Sequence, residues 1–581
     1  MLKGIAASEG IGVGSVIVLH EPDLSYDPVV HGTPEEELTR LRNAVKVFRH
    51  KTITRVEEIR ARGKKDAADI LAAHEMLASD PEVEAQARHY IQQGMCAEAA
   101  LEQTCDMFAD LFSASDDAFT RQRAADVYDV KSGVLSVLLG KRERDLTSVA
   151  EGSVLVARDI MPSTVAMLDS SRIKGIVCEV GGLTSHIALL AQSLNIPAVL
   201  SVAEATTFLE DGMKVIVNGS LGEVMPSPDS AMMYRAKKMN EYKTLESASL
   251  LRFVGKKTCT SCGREYTLAG NILTPPEAAK VEEQDGEGVG LFRTEFLFMD
   301  AVTPPTEDEQ FEAYKSAVCA MKGKPVVIRT LDIGGDKDIP CLGMQRECNP
   351  FMGLRAIRFC LQREDVYRTQ LRALIRASAF GDVRILVPLI TCVDEFMQVR
   401  ELVKRYMDEF TREGVAFNPN LQIGAMIETP AAVLMADALA DCADFLSIGT
   451  NDLIGYTMAV DRGNDKVRYL YSAYNPAVLR AIKHTINVAH QRNDTPVGMC
   501  GEAAADPLLT PLWIAFGLDV YSVVPQAILS TRKAIADWSV EDACEVAERV
   551  MEASTASQAH ELLLEAARAN ETKVRPKFTN L

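Results

Sequence analysis

The chain has 581 residues, which is too long for one ordinary hydrophobic core, so two to four domains are expected. Its 47% hydrophobic and 25% charged residues are typical of a soluble globular protein, and its formal net charge of −19 argues against duplex nucleic acid as a partner. A small anionic substrate would need local arginines and lysines to overcome this overall negative charge.

Two further features predict the compartment. The N-terminal sequence MLKGIAASEGIGVGSVIVL lacks the long apolar segment of a signal peptide, and no run in the chain is apolar enough for membrane insertion. The thirteen cysteines have irregular spacings, which are typical of reduced thiols and not of a disulfide framework. We therefore expect a cytoplasmic protein.

The first part of the chain changes from strand patterns to helical patterns and back. Residues 1–20 have a strand pattern, and residues 33–145 have the 3.6-residue periodicity of helices. Strand patterns then return at 153–157, 175–180, 197–202 and 214–219. We predict an α/β domain built from residues 1–32 and 146–226, a helical subdomain inserted at 33–145, and a linker helix at 227–255.

From residue 256 to 581, short apolar strand patterns alternate with helical patterns. The predicted strands are 266–272, 288–295, 326–332, 384–390, 422–428, 445–450, 496–502 and 520–525. Eight such units predict a (β/α)8 TIM barrel. An open, doubly wound sheet is the alternative, but the count of eight favours closure.

The stretch GGLTSHIALLAQ, residues 181–192, places a histidine at the predicted start of a helix. The two glycines allow a sharp turn after a buried strand, and Thr184 or Ser185 is a suitable N-cap. His186 would then lie near free backbone N–H groups at the positive end of the helix dipole, where a phosphoryl group is favoured. The residues alone leave open whether His186 is functional or an ordinary structural histidine.

In TIM barrels the catalytic groups lie at the C-terminal ends of the strands. Polar or reactive side chains occur at these positions, or in the loops just beyond, at Arg293, Glu295, Arg329, Asp332, Lys337, Arg355, Glu428, Asn451, Asp452, Arg462, Cys500 and Glu502. Arginine binds carboxylate and phosphate groups, and carboxylates among arginines indicate a hard cation such as Mg²⁺. Each residue alone could form an ordinary salt bridge, but their shared position predicts an anion site.

The positions of the histidines and cysteines limit the reactions and metal sites that we expect. No histidine occurs between His186 and His484, so the barrel site is expected to lack an imidazole base and a histidine-ligated zinc ion. A nucleophilic histidine in one domain and an anion site in another predict a two-site phosphoryl relay. Cys259 and Cys262 form a lone CxxC, which is either half of a zinc site or a turn before a strand.

Eight motifs occur in order along the chain, namely GGLTSH, GVGLFRTEFLFMD, RTLDIGGDK, NPFMGLRAIR, IETPAA, GTNDL, AVDRGND and GMCGE. Together with GIAASEGIGVG near the start, they resemble the enzyme I family of the bacterial phosphoenolpyruvate:sugar phosphotransferase system. The resemblance covers nearly the whole chain. It implies a swivelling phosphohistidine domain, a helical subdomain that binds the carrier protein HPr near residues 74–83 and 123–130, and a dimer-forming barrel that binds phosphoenolpyruvate and Mg²⁺.

The resemblance also implies a role for each site residue. His186 would take the phosphoryl group from phosphoenolpyruvate, leaving pyruvate, and would pass it to HPr. The substrate would be held by Arg293, Arg329, Lys337, Arg355, Asn451, Asp452 and Arg462. Glu428 and Asp452 would ligate Mg²⁺, and Cys500 would protonate the enolate of pyruvate.

Some positions depart from the family pattern, and two other functions stay open. Gln192 stands where the family has an arginine, and Ile454 and Gly455 stand where a threonine and a glutamine are expected. These changes affect rate or partner preference more than reaction type. One alternative is an enzyme like pyruvate phosphate dikinase or phosphoenolpyruvate synthase, which would carry a large ATP-binding region. The other is a regulatory protein that binds phosphoenolpyruvate without turnover.

Overall fold

The computed structural model divides into two compact units, Met1–Ser247 and Ala248–Leu581. It describes all residues except 20–23, 62–64, 114–117, 142–148, 161–163, 165–171, 183–184, 195, 300, 302, 335–339, 345–346, 463, 465 and 575–581. The predicted site residue Lys337 lies outside the described residues, and of His186 only the backbone is described. No described helix is both long enough and apolar enough to cross a bilayer.

The first unit contains an eight-stranded sheet. Its strands are β1 (Leu2–Lys3), β2 (Ile5–Ser8), β3 (Ile11–Leu19), β4 (Ser153–Ala157), β5 (Ile173–Cys178), β6 (Ala198–Leu200), β7 (Lys214–Asn218) and β8 (Glu223–Pro226). They lie in the order β1-β8-β7-β3-β4-β5-β6-β2, with the parallel strands β3 to β6 beside one another. All five residues of β4 are buried because apolar clusters cover both faces of the sheet.

Five helices follow β3 and precede β4 in the chain. They are α1 (Pro34–Ala61), α2 (Lys65–Ala78), α3 (Pro81–Gln92), α4 (Ala97–Ser113) and α5 (Ala118–Leu138). They have a core of their own, which includes Leu41, Leu101 and Val134. Glu37 of α1 accepts a 2.9 Å hydrogen bond from the N–H of Ala97 at the start of α4, and so joins these two helices.

Three further helices are described in the first unit, and the last of them leads to the second. They are α6 (His186–Ser193), α7 (Ala205–Phe208) and α8 (Ser230–Leu250). α6 begins at His186, as the capping pattern predicted, and α8 reaches the boundary between the two units.

The second unit is a closed barrel of parallel strands. The strands are β9 (Thr267–Ile272), β10 (Val289–Phe292), β11 (Val326–Arg329), β12 (Val383–Val387), β13 (Gln422–Ile427), β14 (Leu446–Ile448), β15 (Val497–Met499) and β16 (Val520–Val523). Each strand pairs with the next, and β16 pairs with β9. The predicted fold class, an α/β domain with a helical insert followed by a (β/α)8 barrel, is therefore confirmed, and closure excludes the open sheet.

Helices cover the outside of the barrel. They are α9 (Glu277–Glu283), α10 (Phe296–Met299), α11 (Glu307–Ala320), α12 (Ala356–Gln362), α13 (Glu364–Ala377), α14 (Val393–Glu413), α15 (Pro430–Leu434), α16 (Ala436–Cys442), α17 (Thr450–Met458), α18 (Pro476–Asn493), α19 (Thr510–Phe516), α20 (Ile528–Ala536), α21 (Val540–Met551) and α22 (Ala556–Val574). Their apolar faces and the outward side chains of the strands form one core, in which Trp513 is completely buried.

Several barrel strands end earlier than the sequence pattern predicted. β10 ends at Phe292 and β11 at Arg329, whereas the patterns extended to residues 295 and 332. The residues beyond these ends include Arg293, Glu295 and Asp332, which form part of the rim of the barrel. This difference places these three residues in loops at the strand ends, whereas Arg329 is the last residue of β11.

Cys259 and Cys262 lie in a turn just before β9. An isolated antiparallel bridge joins Cys259 to Glu265, and Thr260 Oγ1 lies 3.2 Å from Cys262 Sγ. Among the residues that the structure describes, no three His, Cys, Asp or Glu side chains are grouped as a metal-ion cluster.

Arg532 of α20 is a buried cation at the N-terminal end of the barrel, and only 1% of it is exposed. Its Nη1 lies 2.5 Å from Asp285 Oδ2 and donates a 2.9 Å hydrogen bond to the carbonyl of Phe253. Its Nε donates to Thr258 Oγ1 at 3.0 Å. Arg532 thereby fixes the segment that leads into β9.

Arg532→Ala is expected to lower the free energy of unfolding of the barrel by about 3 kcal/mol, because Asp285 and two buried acceptors lose their partner. Urea unfolding followed by tryptophan fluorescence measures this loss, since Trp513 and Trp538 both lie in the second unit. The control is Lys533→Ala, which removes a partly exposed ion pair and should cost under about 1 kcal/mol. Equal losses in the two variants would contradict the prediction.

Candidate active site at the barrel rim

A cleft of about 630 Å³ opens at the C-terminal ends of the barrel strands. It is lined by Leu291, Arg293, Arg329, Asp332, Phe351, Arg355, Met426, Glu428, Gly449, Asn451, Asp452, Arg462, Cys500 and Gly501. The cleft thus brings together the barrel residues to which the resemblance assigns a role, except Lys337, which lies outside the described residues. Glu295 and Glu502, also predicted at the rim, are not part of its lining.

Asp332 joins two buried arginines in the cleft. Its Oδ2 lies 3.0 Å from Arg329 Nη1, and its Oδ1 accepts a 2.8 Å hydrogen bond from Arg355 Nη2. Arg329 Nη2 also donates to Glu295. Burial opposes the charge on each guanidinium, but the neighbouring carboxylates outweigh it and raise the pKa of Arg329 and Arg355. Both arginines therefore stay charged in a nearly water-free environment.

Arg355 also connects Asp332 to Asp452. Its Nη2 donates to Asp452 Oδ2 at 3.2 Å, and its Nη1 donates to the Tyr456 hydroxyl at 3.1 Å. That hydroxyl donates in turn to the carbonyl of Phe351. Because both terminal nitrogens of Arg355 are engaged in this way, the side chain orients Asp452.

Glu428 follows β13 and is only 2% exposed. Its Oε1 accepts a 2.6 Å hydrogen bond from the N–H of Leu389, a non-glycine residue with a φ of 55°. A Cβ atom at Gly449 would lie 2.6 Å from Glu428 Oε2, so glycine is needed there. Burial, and then the charges of Asp452 and Asp332, raise the pKa of Glu428 above its usual range. A cation held by Glu428 and Asp452 would relieve this repulsion.

Cys500 follows β15 and is 3% exposed. Its thiol lies 3.7 Å from the carbonyl of Ile448, and Ser447 Oγ donates to Cys500 Sγ at 3.5 Å. Burial raises the pKa of the Cys500 thiol, a direction that the hydrogen bond from Ser447 opposes and the charge of Glu428 supports. The thiol is therefore protonated at neutral pH, as a proton donor must be.

The remaining polar groups of the cleft lie nearer to solvent. The side chain of Asn451 and the backbone N–H and carboxylate of Glu502 form a reciprocal pair of hydrogen bonds of 3.2 and 3.3 Å. The side chain of Arg293 is half-buried and makes no hydrogen bond or ion pair within the described part of the chain, and Arg462 is exposed. Arg293 is consequently the arginine of the cleft best placed to accept a new anion.

The backbone around His186 has the predicted turn geometry in the first unit. Gly181 has a φ of 115°, which favours glycine, and lies just beyond the end of β5. Ser185 is the N-cap of α6, because its Oγ accepts a 3.3 Å hydrogen bond from the N–H of Ala188. The other end of α6 is held by Gln192, whose Nε2 donates to the carbonyl of Ala7 at 2.7 Å.

Comparison with known proteins identifies the family. Residues 3–123, 149–222 and 247–540 match the N-terminal, mobile and PEP-binding domains of PEP-utilising enzymes. The phosphoenolpyruvate-protein phosphotransferase of Geobacillus stearothermophilus is 42% identical over 560 residues, or 96% of each chain. The chain belongs to the phosphoenolpyruvate-protein phosphotransferase family.

A second curated relative supports the same assignment. The relative from Listeria monocytogenes is 42% identical over 567 residues, which are 97% of this chain and 98% of the relative. The NMR solution structure of Enzyme I (nEIt) is 32% identical and covers 42% of this chain and 100% of that chain, with a TM-score of 0.39. Family membership confirms the predicted resemblance and the predicted enzyme class, and it disfavours a dikinase, a synthase or a non-catalytic sensor.

The sequence did not reveal a buried polar network behind the cleft of this family member. Gln370 of α13 donates to Thr294 Oγ1 and to the Tyr314 hydroxyl, both at 3.1 Å. Its Oε1 accepts a 2.9 Å hydrogen bond from the N–H of Leu331. Thr294 Oγ1 donates to the carbonyl of Arg329 at 3.0 Å, so the network supports the backbone at two strand ends. The available signal was a glutamine within the apolar stripe of α13.

Arg355→Lys is expected to slow formation of the phosphoenzyme from phosphoenolpyruvate about 100-fold, while the barrel stays folded. Lysine keeps one positive charge but cannot bond to Asp332 and Asp452 together, so Asp452 loses its orientation. Rapid-quench kinetics measure the rate, and circular dichroism checks the fold. Arg363→Lys makes the same change at an exposed ion pair and is the control. A rate for Arg355→Lys equal to that of the control would contradict the role of Arg355.

Proposed function

We propose that this chain takes a phosphoryl group from phosphoenolpyruvate onto His186 and passes it to a histidine of a small carrier protein of the HPr type. This is the first step of sugar uptake by a phosphotransferase system. The main support is the cleft, in which four arginines and three carboxylates surround one buried thiol. Phosphoryl transfer is accelerated by positioning and charge neutralisation, which such a cleft supplies.

The arginines differ in the part they can play. Arg293 has its guanidinium uncommitted within the described residues, so we assign it to the substrate phosphate or carboxylate, together with Arg462 and Asn451. The buried side chain of Arg329 contributes positive charge to the cleft. Its Nε has no hydrogen-bond partner among the described atoms. Lys337 is added to this set by family resemblance alone.

Mg²⁺ fits the carboxylates of the cleft. Two carboxylates are a usual protein contribution to a Mg²⁺ site, and substrate oxygens and water complete the shell. Glu428 and Asp452 are the proposed ligands, because burial and the charge of Asp452 both disfavour a negative charge on Glu428 unless a cation is present. The bound cation would supply positive charge beside the phosphate.

Cys500 is the proposed acid that protonates the enolate of pyruvate. Its buried thiol is protonated at neutral pH, and it lines the same cleft as the arginines. Proton transfer from a positioned acid is most effective when the donor is held against the reacting carbon.

His186 is the proposed nucleophile. The first-turn N–H groups of α6 have no acceptor within the helix itself, and the positive end of the helix dipole lies there, which favours a phosphoryl group. A neutral imidazole is the nucleophilic form. The domain boundaries given above, a barrel-mediated homodimer and a cytoplasmic location belong to the same proposal.

Incubation with ³²P-labelled phosphoenolpyruvate and Mg²⁺ is expected to label the wild-type protein and not His186→Ala. The label should be acid-labile and base-stable, as a phosphohistidine is, and EDTA should prevent its formation. Addition of a purified HPr-type carrier should then remove the label. Labelling of folded His186→Ala, or its transfer to the carrier by that variant, would show that the relay does not use His186.

The carrier is proposed to dock on the helical subdomain. Large apolar side chains are exposed on three of its helices, at Met76 of α2, Leu111 of α4 and Tyr128 of α5. Since α5 packs against both α2 and α4, these helices form one connected surface. Two acidic residues that could steer a carrier have structural partners, since Glu75 pairs with Arg49 and Asp80 caps α3. Apolar contact is therefore the stronger argument for docking.

Met76→Asp is expected to raise the KM for the carrier about 10-fold, because an exposed interface anchor becomes charged. Phosphorylation of His186 by phosphoenolpyruvate should be unchanged, since that step does not use this surface. Leu221→Asp provides the control, because Leu221 is equally exposed but lies in the turn between β7 and β8. A normal carrier KM for Met76→Asp would place the docking surface elsewhere.

A further inference from the structure

Asn271 lies near the C-terminal end of β9 and has its side chain inside the barrel. Its neighbours Leu268 and Ile272 belong to the outer core between the strands and the helices, so the alternation of the strand directs Asn271 inward. The side chain is not part of the cleft lining. It lies beside the cleft, and its position there does not depend on contact with a substrate.

Each polar atom of the Asn271 side chain has a partner. Nδ2 donates to the carbonyl of Cys500 at 3.0 Å and to the carbonyl of Ser522 at 3.1 Å. Oδ1 accepts a 2.5 Å hydrogen bond from the Ser522 hydroxyl. The amide is therefore fixed in one orientation, with both of its N–H groups directed at backbone.

The contact with Cys500 holds a backbone carbonyl just beyond the end of β15. β15 pairs with β16 through Gly498 and Met499, and Cys500 is the next residue, beyond the last paired position. Its N–H donates to the carbonyl of Ile448 at 3.1 Å on the side of β14. Its carbonyl accepts the hydrogen bond from the side chain of Asn271 in β9, the strand on the other side of β16. The backbone of Cys500 is thus held on both sides.

We propose that Asn271 is a positioning residue for proton transfer by Cys500. This inference rests on the proposed function, in which the S–H bond of Cys500 breaks and a C–H bond forms at the methylene carbon of the pyruvate enolate. The electron pair of the carbon–carbon double bond makes that bond, the carbonyl of pyruvate forms, and the thiolate then takes a proton from water. Asn271 fixes the backbone from which the thiol projects, and so sets the distance and angle of this step.

Loss of Asn271 should affect phosphoryl transfer and carbon protonation differently, whereas a general structural defect would slow both steps. Transfer of the phosphoryl group depends on the arginines and carboxylates, which Asn271 does not contact. Protonation of carbon depends on the position of Cys500, and a displacement of about 1 Å can cost on the order of 100-fold in such a step. Loss of Asn271 should therefore slow the second step and spare the first.

The test compares Asn271→Ala and Asn271→Asp with the wild-type enzyme. The aspartate keeps the acceptor for Ser522 but cannot donate to Cys500, so it isolates the contact in question. Thr267→Ala is the matched control, because Thr267 is on the same face of β9, four residues toward the opposite end of the barrel. Cys500→Ala shows the full loss of the proton donor. Thermal melts verify that each barrel is folded.

Two single-turnover signals are read from each variant. Rapid quench with ³²P-labelled phosphoenolpyruvate gives the rate of phosphohistidine formation, and lactate dehydrogenase with NADH detects only the keto form of pyruvate. In Asn271→Ala and Asn271→Asp we expect phosphohistidine formation within about 3-fold of wild type and keto-pyruvate formation slower by about 10- to 100-fold. Thr267→Ala should resemble wild type in both signals.

The outcomes distinguish this inference from the function on which it rests. Equal slowing of both signals, or no slowing of either, in both Asn271 variants would overturn the positioning role. Absence of phosphohistidine in the wild-type protein would instead overturn the proposed function. Normal keto-pyruvate formation by Cys500→Ala would overturn the positioning role of Asn271 and the role of Cys500 as proton donor, because there would be no proton donor at this position for Asn271 to hold, and it would leave the phosphoryl relay through His186 standing.

Discussion

The active-site cleft depends on the closure of the barrel between β16 and β9. This pairing joins Val520–Val523 to Thr267–Gly270 and puts the first and last strands of the second unit side by side. Because all the strands run in the same direction, every C-terminal end then lies on one rim. Residues from distant parts of the chain, such as Arg293 and Cys500, can meet only for this reason. The hydrogen bonds between Asn271 and Ser522 cross the same closing pair of strands.

The charge of the cleft at the rim differs from the overall negative charge of the chain. The chain carries a formal net charge of −19, yet the cleft must attract an anion. Burying an isolated arginine would cost several kcal/mol, but Asp332 lies between Arg329 and Arg355 and repays much of that cost by pairing with both. The same carboxylates leave the site close to neutral. An anionic substrate and a divalent cation could then bind together, because the charge of each lowers the free-energy cost of binding the other. The cation would also relieve the repulsion on the carboxylate of Glu428.

The sequence predicted the order of the barrel strands and the residues of the rim, because alternating apolar segments have a clear period and strand ends have a known role. It did not predict the partners of these residues. The pair Arg355 and Asp452 is separated by 97 positions, and its geometry is set by how the loops after two different strands fold. The same holds for Gln370, whose network joins α13 to two strand ends. Such contacts depend on tertiary packing, which the local pattern of a single sequence does not contain.

Three positions, Gln192, Ile454 and Gly455, depart from the family pattern. Their contacts are structural, and none of them replaces a residue to which a chemical role is assigned. Gln192 holds the end of α6 through the carbonyl of Ala7, so this end of the helix is held to the sheet without a cation. Ile454 is buried within α17, and the carbonyl of Gly455 accepts a hydrogen bond from Val460 that closes the helix at its C-terminal end. Asn451 and Asp452 occupy the first turn of that same helix, one turn earlier. A well-closed α17 keeps both side chains at the rim, so a changed helix surface is compatible with an unchanged set of reacting groups.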